Sequence, residues 1–188
     1  MKEQKPNLKD LNIDETWTLF LDRDGVINYK IEDDYVREWA QFRFLPTARE
    51  AIKRLSNVFG KIIVVTNQRG VARKLIQGAN LSEIHERMIG TIMKIGGRID
   101  GIYVCPHDLD AQCKCRKPEV GLALEAKRDF PSIIFSKSVM VGDNSSDVVF
   151  AKTLNMTSVL IKDDGRDRSQ EVMADFIFKD LLEFASSL

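Results

Sequence analysis

The sequence predicts an α/β protein: a Rossmann-like, doubly wound, mostly parallel sheet without a large cap domain. Three observations lead there. Short β-branched runs alternate with stretches of helical spacing along the chain. One run, Lys61–Val65 (KIIVV), is β-branched and apolar after its lysine, as in a strand buried on both faces. Acidic or hydroxyl residues follow several of these runs, at the sheet edge where open α/β folds bind ligands.

The bulk properties narrow the class further. The 188 residues are most simply an arm, 1–15, followed by one domain, 16–188. Hydrophobic residues make up 44% and charged ones 30%, which suits a packed core under a solvated surface. Lys plus Arg equals Asp plus Glu, 28 each, so no global field favours nucleic acid or an anionic membrane. The polar start, MKEQKPNLKDLNIDET, lacks an apolar signal core, and no run approaches the roughly 20 apolar residues of a membrane span. A soluble, cytoplasmic protein is expected, with no nucleic acid, membrane or obligatory protein partner.

Taken in order, Thr16–Leu21 is the first strand, rich in β-branched and aromatic residues. Residues 26–45 show no clean period and form a long loop, with Tyr29, Tyr35, Trp39, Phe42 and Phe44 available to pack it down. Pro46-Thr47 opens a helix with Ala48, Ala51, Ile52 and Leu55 on one face. After the strand Lys61–Val65 and the turn at 66–70, a short helix is expected over Val71–Gln77. A longer one, capped by Asn80 or Ser82, runs to Ile95 and is stopped by Gly96-Gly97. Then come a strand over Ile99–Val104, a helix over Glu119–Phe130, a strand over Ser138–Val141 and a helix over Ser146–Leu154. Thr157–Ile161 is a strand, 162–169 a solvated loop, Asp175–Phe178 an edge strand and Leu181–Phe184 a last helix.

The chemistry gathers at the strand ends. Asp22 and Asp24 can direct both carboxylates to one side, where one serves as a nucleophile beside Mg²⁺ and the other carries a proton. By itself Asp-Gly is equally a turn former. Thr66 can offer a hydroxyl and an amide to a phosphoryl oxygen, though TNQ also reads as a plain turn. Lys117 in Arg116-Lys117-Pro118 can counter developing negative charge, or be simple surface charge. Asp143 follows VMVG at the ligand edge, where Mg²⁺ needs oxygen donors. Asp147 is either a supporting carboxylate or a helix N-terminal acid.

Cys105, His107, Cys113 and Cys115 form a second constellation, the Cys₃His set of a closed structural Zn²⁺ site. The plain alternative is buried free thiols beside a stray histidine. His85 is read as a solvated or core helix residue.

The order D-x-D-G-V, strand-T-N, K-P, strand-G-D-x-x-x-D resembles the haloacid dehalogenase superfamily of phosphohydrolases from Thr16 to Ile161. The resemblance implies Asp22 as the nucleophile that takes up the phosphoryl group and Asp24 as general acid/base. It implies Thr66 and Lys117 as phosphoryl stabilisers. Mg²⁺ would be held by Asp22, Asp143 and the main-chain carbonyl of Asp24. Substrate would be contacted by Thr66, Asn67, Gln68, Arg69, Arg116 and Lys117, with Asn144 near the metal.

The run CPH…CxCRKP, with DRDGVIN and TNQRGVAR, is similar to the histidinol-phosphatase and heptose-bisphosphatase branch. DGVIN, Tyr35-Val36, the F-x-F-x-P run and TNQ-x-GVAR resemble the heptose 1,7-bisphosphate phosphatases. The short gap from His107 to Cys113 resembles the histidinol-phosphate enzymes. Arg69 stands where a small residue is usual, and Lys74 where glycine is common. The expected substrate is a small phosphorylated metabolite, foremost a sugar bisphosphate. A non-catalytic phosphate-binding module is the reading from another class.

Overall fold

A computed structural model describes residues 8–162 and 173–188. The solvated loop expected at 162–169 lies outside the described residues beyond Lys162. Six parallel strands make one sheet: β1 (Thr18–Leu21), β2 (Lys61–Asn67), β3 (Gly101–Cys105), β4 (Ser138–Gly142), β5 (Thr157–Ile161) and β6 (Phe176–Phe178). Their order is β3-β2-β1-β4-β5-β6, and every pairing is parallel. β1 therefore lies at the centre, between β2 and β4, where the winding reverses and opens a crevice at the carboxyl ends.

Alternation along β1 sends Leu19 and Leu21 to one face and Phe20 to the other, all fully buried. On the first face, α1 (Ala48–Leu55), α3 (Gly78–Met93) and α6 (Leu181–Ser187) bring Ile52, Leu55, Ile84, Met88, Ile92 and Phe184 against Leu19 and Leu21. On the second, α4 (Gly121–Asp129) and α5 (Ser145–Thr153) bring Leu122, Ala126, Phe150 and Ala151 against Phe20, Ile63 and Val65. Each fully enclosed Leu, Ile or Phe contributes about 2 kcal/mol relative to an exposed one. Among the described residues the connections hold one or two helices and loops, with no second sheet over the crevice.

Two segments differ from the sequence expectation. The short helix is α2 (Arg69–Ala72), not 71–77, because buried Ile76 folds back over Gly70. The amides of Leu75 and Ile76 both donate to the Gly70 carbonyl, at 2.9 and 3.1 Å, and Lys74 turns the chain at φ +57°. The long helix starts early, at Gly78, and Asn80 does not cap it. Its amide donates instead to the Arg37 carbonyl. Residues 8–13 are also tied down: Leu8 is buried in the first core, and Leu11 and Ile13 pack against it.

The 26–45 loop is held by its aromatics, as the plain reading had it. Trp39 stacks on Phe42 and Phe42 meets Phe44 edge-on, both with ring centroids 5.0 Å apart, and Arg87 of α3 covers Trp39. Only Tyr29 among them stands largely exposed.

Candidate active site

The ends of β1, β2 and β4 converge on a cleft of about 270 Å³ lined by Asp22, Asp24, Thr66, Asn67, Gln68, Arg69, Arg116, Lys117, Asp143 and Asn144, with Lys30 at its mouth. Asp22 leaves β1 with its amide still bonded to Val141 of β4, so its side chain emerges at the switch point. Lys117 Nζ lies 2.9 Å from Asp22 and 2.7 Å from Asp147, with 1% of the lysine side chain exposed. Burial pushes the Asp22 carboxyl up to about 7, with Lys117 opposing and Asp147 and Asp143 adding to the rise. Burial favours a neutral Lys117, but the two carboxylates outweigh it and hold the ammonium charged.

Asp24 is gripped differently. One Arg23 nitrogen, Nη2, donates to both its oxygens, at 2.9 and 2.8 Å, and Asn28 and Gln68 each donate to one of them at 2.8 Å. Burial would raise this carboxyl, but Arg23 and the two amides prevail and hold it below the usual carboxylate range. The two aspartates thus have opposite titration behaviour only two residues apart.

The TNQ turn is mostly scaffolding. Asn67 makes two bonds to the main chain of Lys117, donating to its carbonyl at 3.1 Å and accepting from its amide at 3.0 Å. Gln68 bridges Thr66 and Asp24 from a buried position. Thr66 Oγ1 accepts from that bridge, which directs its own proton elsewhere, and the cleft is the open side. Arg69 ion-pairs with Asp108, which Arg73 also approaches at 3.5 Å, tying this turn to the cysteine loop. Arg116 brings a buried Nη1 with no acceptor among the described residues into the same cleft.

Sequence reasoning missed Arg23, Asn28, Lys30 and His85 as site residues, and left Asp147 as one of two readings. Asp147 is buried, pairs with Lys117 and accepts from the Asn144 amide at 3.1 Å, closing a capping box on α5. The spacing G-D-x-x-x-D carried that signal. Nothing local marks Arg23 as buried, because an arginine between two acids reads as solvated.

Two donor sets fit metals. Oxygens of Asp22, Asp143 and Asp147 lie within 4.8 Å of one another, the hard set that Mg²⁺ takes. Gly25, at φ +91°, leaves room beside them: a Cβ there would stand 2.3 Å from Asp143 Oδ2. Lys30 pairs with that same oxygen at 3.1 Å. The carboxylate of Asp24 is committed to Arg23 and the amides. The sulfur and nitrogen donors of Cys105, His107, Cys113 and Cys115 also lie within 4.8 Å of one another. Their neighbouring separations run from 3.1 to 3.7 Å. Tetrahedral Zn²⁺ with 2.3 Å sulfur bonds has edges of about 3.7 Å.

A central parallel sheet with paired aspartates after its middle strand, and a lysine and further carboxylates around them, defines a haloacid dehalogenase-like hydrolase. A family model described as "HAD-hyrolase-like" matches residues 114–184, and similarity to curated relatives extends over most of the chain, which belongs to this family and is a phosphatase. Among its relatives is the D-glycero-alpha-D-manno-heptose-1,7-bisphosphate 7-phosphatase of Mycobacterium tuberculosis, 44% identical over 72% of this chain and 71% of the relative. The D-glycero-beta-D-manno-heptose-1,7-bisphosphate 7-phosphatase of Pseudomonas putida is 35% identical over 90% of this chain and 98% of the relative. The D,D-heptose 1,7-bisphosphate phosphatase of B. bronchiseptica, solved with magnesium and phosphate, superposes with a TM-score of 0.81. It is 30% identical and covers 90% of this chain and 96% of its own.

Proposed function

We propose that this chain removes the 7-phosphate of D-glycero-D-manno-heptose 1,7-bisphosphate, using Mg²⁺ and a transient aspartyl-phosphate on Asp22. The observation that carries the substrate is the name shared by relatives that align over 72 to 90% of the chain. The magnesium and phosphate in the B. bronchiseptica structure support the cofactor, as does the oxygen set at Asp22 and Asp143.

In this reading an Asp22 oxygen attacks phosphorus, and the bond from phosphorus to the sugar oxygen breaks. That oxygen takes a proton from Asp24. Water then attacks the acyl phosphate, Asp24 takes the water's proton, and phosphate leaves with Asp22 restored. Lys117 opposes the rise in Asp22's pKa and faces the charge that gathers on the phosphoryl oxygens. Thr66 directs its hydroxyl at the same group. The Arg23 clamp leaves Asp24 ionised at rest, suited to the second half. For the first half Asp24 takes up a proton from solvent as substrate binds, since an incoming phosphate dianion and the loss of water from the cleft both push its pKa up. Bound Mg²⁺ would neutralise charge between Asp22 and the phosphoryl group. Arg116 and Arg69 stand at the rim for the second phosphate.

We place structural Zn²⁺ on Cys105, His107, Cys113 and Cys115, where it fastens the loop that presents Arg116 and Lys117. Three unpaired thiols fit a reducing compartment, and cytoplasmic residence belongs to this proposal. Among the described residues no helix is long and apolar enough to cross a membrane.

Initial rates with Mg²⁺ on both anomers of the heptose bisphosphate, beside histidinol phosphate, test the substrate. A preference for histidinol phosphate would overturn it. Asp22→Asn should abolish turnover with the fold intact, and an active variant sinks the nucleophile.

A further inference from the structure

His85 takes no part in that chemistry, yet from α3 its ring reaches the catalytic turn. Arg23 is fully buried, the largest side chain so enclosed. Its Nη2 holds both Asp24 oxygens, its Nη1 lies 3.1 Å from His85 Nε2, and its Nε has no acceptor among the described residues. A guanidinium can only donate, so His85 Nε2 must accept, and the imidazole is neutral with its proton on Nδ1. Burial first, and the Arg23 charge second, draw the His85 pKa down to about 4, in keeping with that form.

We infer that His85 is a positioning residue for the acid/base carboxylate: by accepting Nη1–H it fixes the rotation of the Arg23 guanidinium and keeps Nη2 across both oxygens of Asp24. This deepens the proposed function and rests on Asp24 as the proton carrier. Without the imidazole, a buried donor is left unmet, and the guanidinium relaxes toward other acceptors. Asn28 and Gln68 still hold one oxygen each, but neither carries charge. The carboxyl then loses both its fixed aim at the leaving oxygen and the field that sets its acidity. Arg23 thereby couples the core side of the sheet to the cleft.

The leaving group provides the test. A sugar alkoxide needs protonation as it departs, whereas p-nitrophenolate does not. His85→Ala should lower kcat on a sugar phosphate about tenfold, leave KM within about twofold, and change the rate of the first-turnover burst of p-nitrophenolate less than about threefold, because the later water attack needs Asp24 for either ester. His85→Gln, whose amide oxygen can accept from Nη1, should restore most of the loss. A burst slowed as much as the sugar-phosphate reaction overturns the inference, because His85 is then only packing, and so does a Gln variant as impaired as Ala. Asp24→Asn, run in parallel, separates the failures. If it slows the p-nitrophenolate burst as much as the sugar-phosphate reaction, the acid role of Asp24 falls and takes the inference with it.

Discussion

Lys117 Nζ stands 2.9 Å from Oδ1 of Asp22, and its charge opposes the rise that burial imposes on that carboxyl. Asp147, 2.7 Å from the same ammonium, makes the arrangement an Asp–Lys–Asp triad. Lys117→Met leaves two carboxyls in a buried site without their cation. Turnover should fall by about 10²- to 10³-fold. Metal-free stability should fall as well, read as a lower Tm. A variant with wild-type kcat would remove Lys117 from the mechanism.

Protons and Mg²⁺ compete for Asp22. With its carboxyl raised to about 7 by burial in the metal-free protein, Asp22 is mostly protonated at pH 6 and mostly ionised at pH 8. Calorimetric Mg²⁺ affinity should therefore be about tenfold weaker at pH 6 than at pH 8, with proton release on binding at the lower pH. Equal affinity at the two pH values would contradict this coupling.

His85 makes folding stability depend on pH in a lower window. Its folded pKa is depressed from 6.5 to about 4, so the unfolded chain binds the extra proton between those values. The contribution is complete above pH 6.5 and is lost as pH falls toward 4, on the order of 3 kcal/mol at most. Denaturant titrations of the wild type and His85→Gln across pH 4 to 7 should show a shallower slope in the variant.

Elemental analysis of protein purified without chelator should find close to one zinc per chain. Cys113→Ser should lose that zinc and lower kcat/KM about tenfold or more, because Arg116 and Lys117 follow the loop directly. Protein free of zinc yet fully active would remove the metal from the loop's function.

Lys74 adopts φ +57°, a left-handed conformation that costs a lysine more than a glycine. Lys74→Gly should stabilise the protein by up to about 1 kcal/mol, despite the greater freedom glycine has when unfolded. The measurement is the chemical denaturation midpoint. A destabilised variant would show that chain entropy dominates at this turn.

Alternation of β-branched strands and amphipathic helices was enough to read the sheet, because burial on two faces dictates those periods. Asp22, Thr66 and Asp143 were legible too, since each ends or directly follows a strand whose position sets its own, whereas Lys117 stood out only through the resemblance. The cysteine set was visible by its spacing, three thiols within eleven residues beside His107. Boundaries near 69–77 were not, because the turn there depends on Ile76 closing over Gly70. Nor was the order of ownership within the site: Asn67 holding Lys117, Gln68 linking Thr66 to Asp24, and Arg23 buried between Asp24 and His85. Those contacts join segments far apart in the chain, and their charges and pKa values depend on how much water the packed fold excludes. Local sequence specifies which groups arrive at the strand ends; only the tertiary packing decides which of them face each other without solvent between.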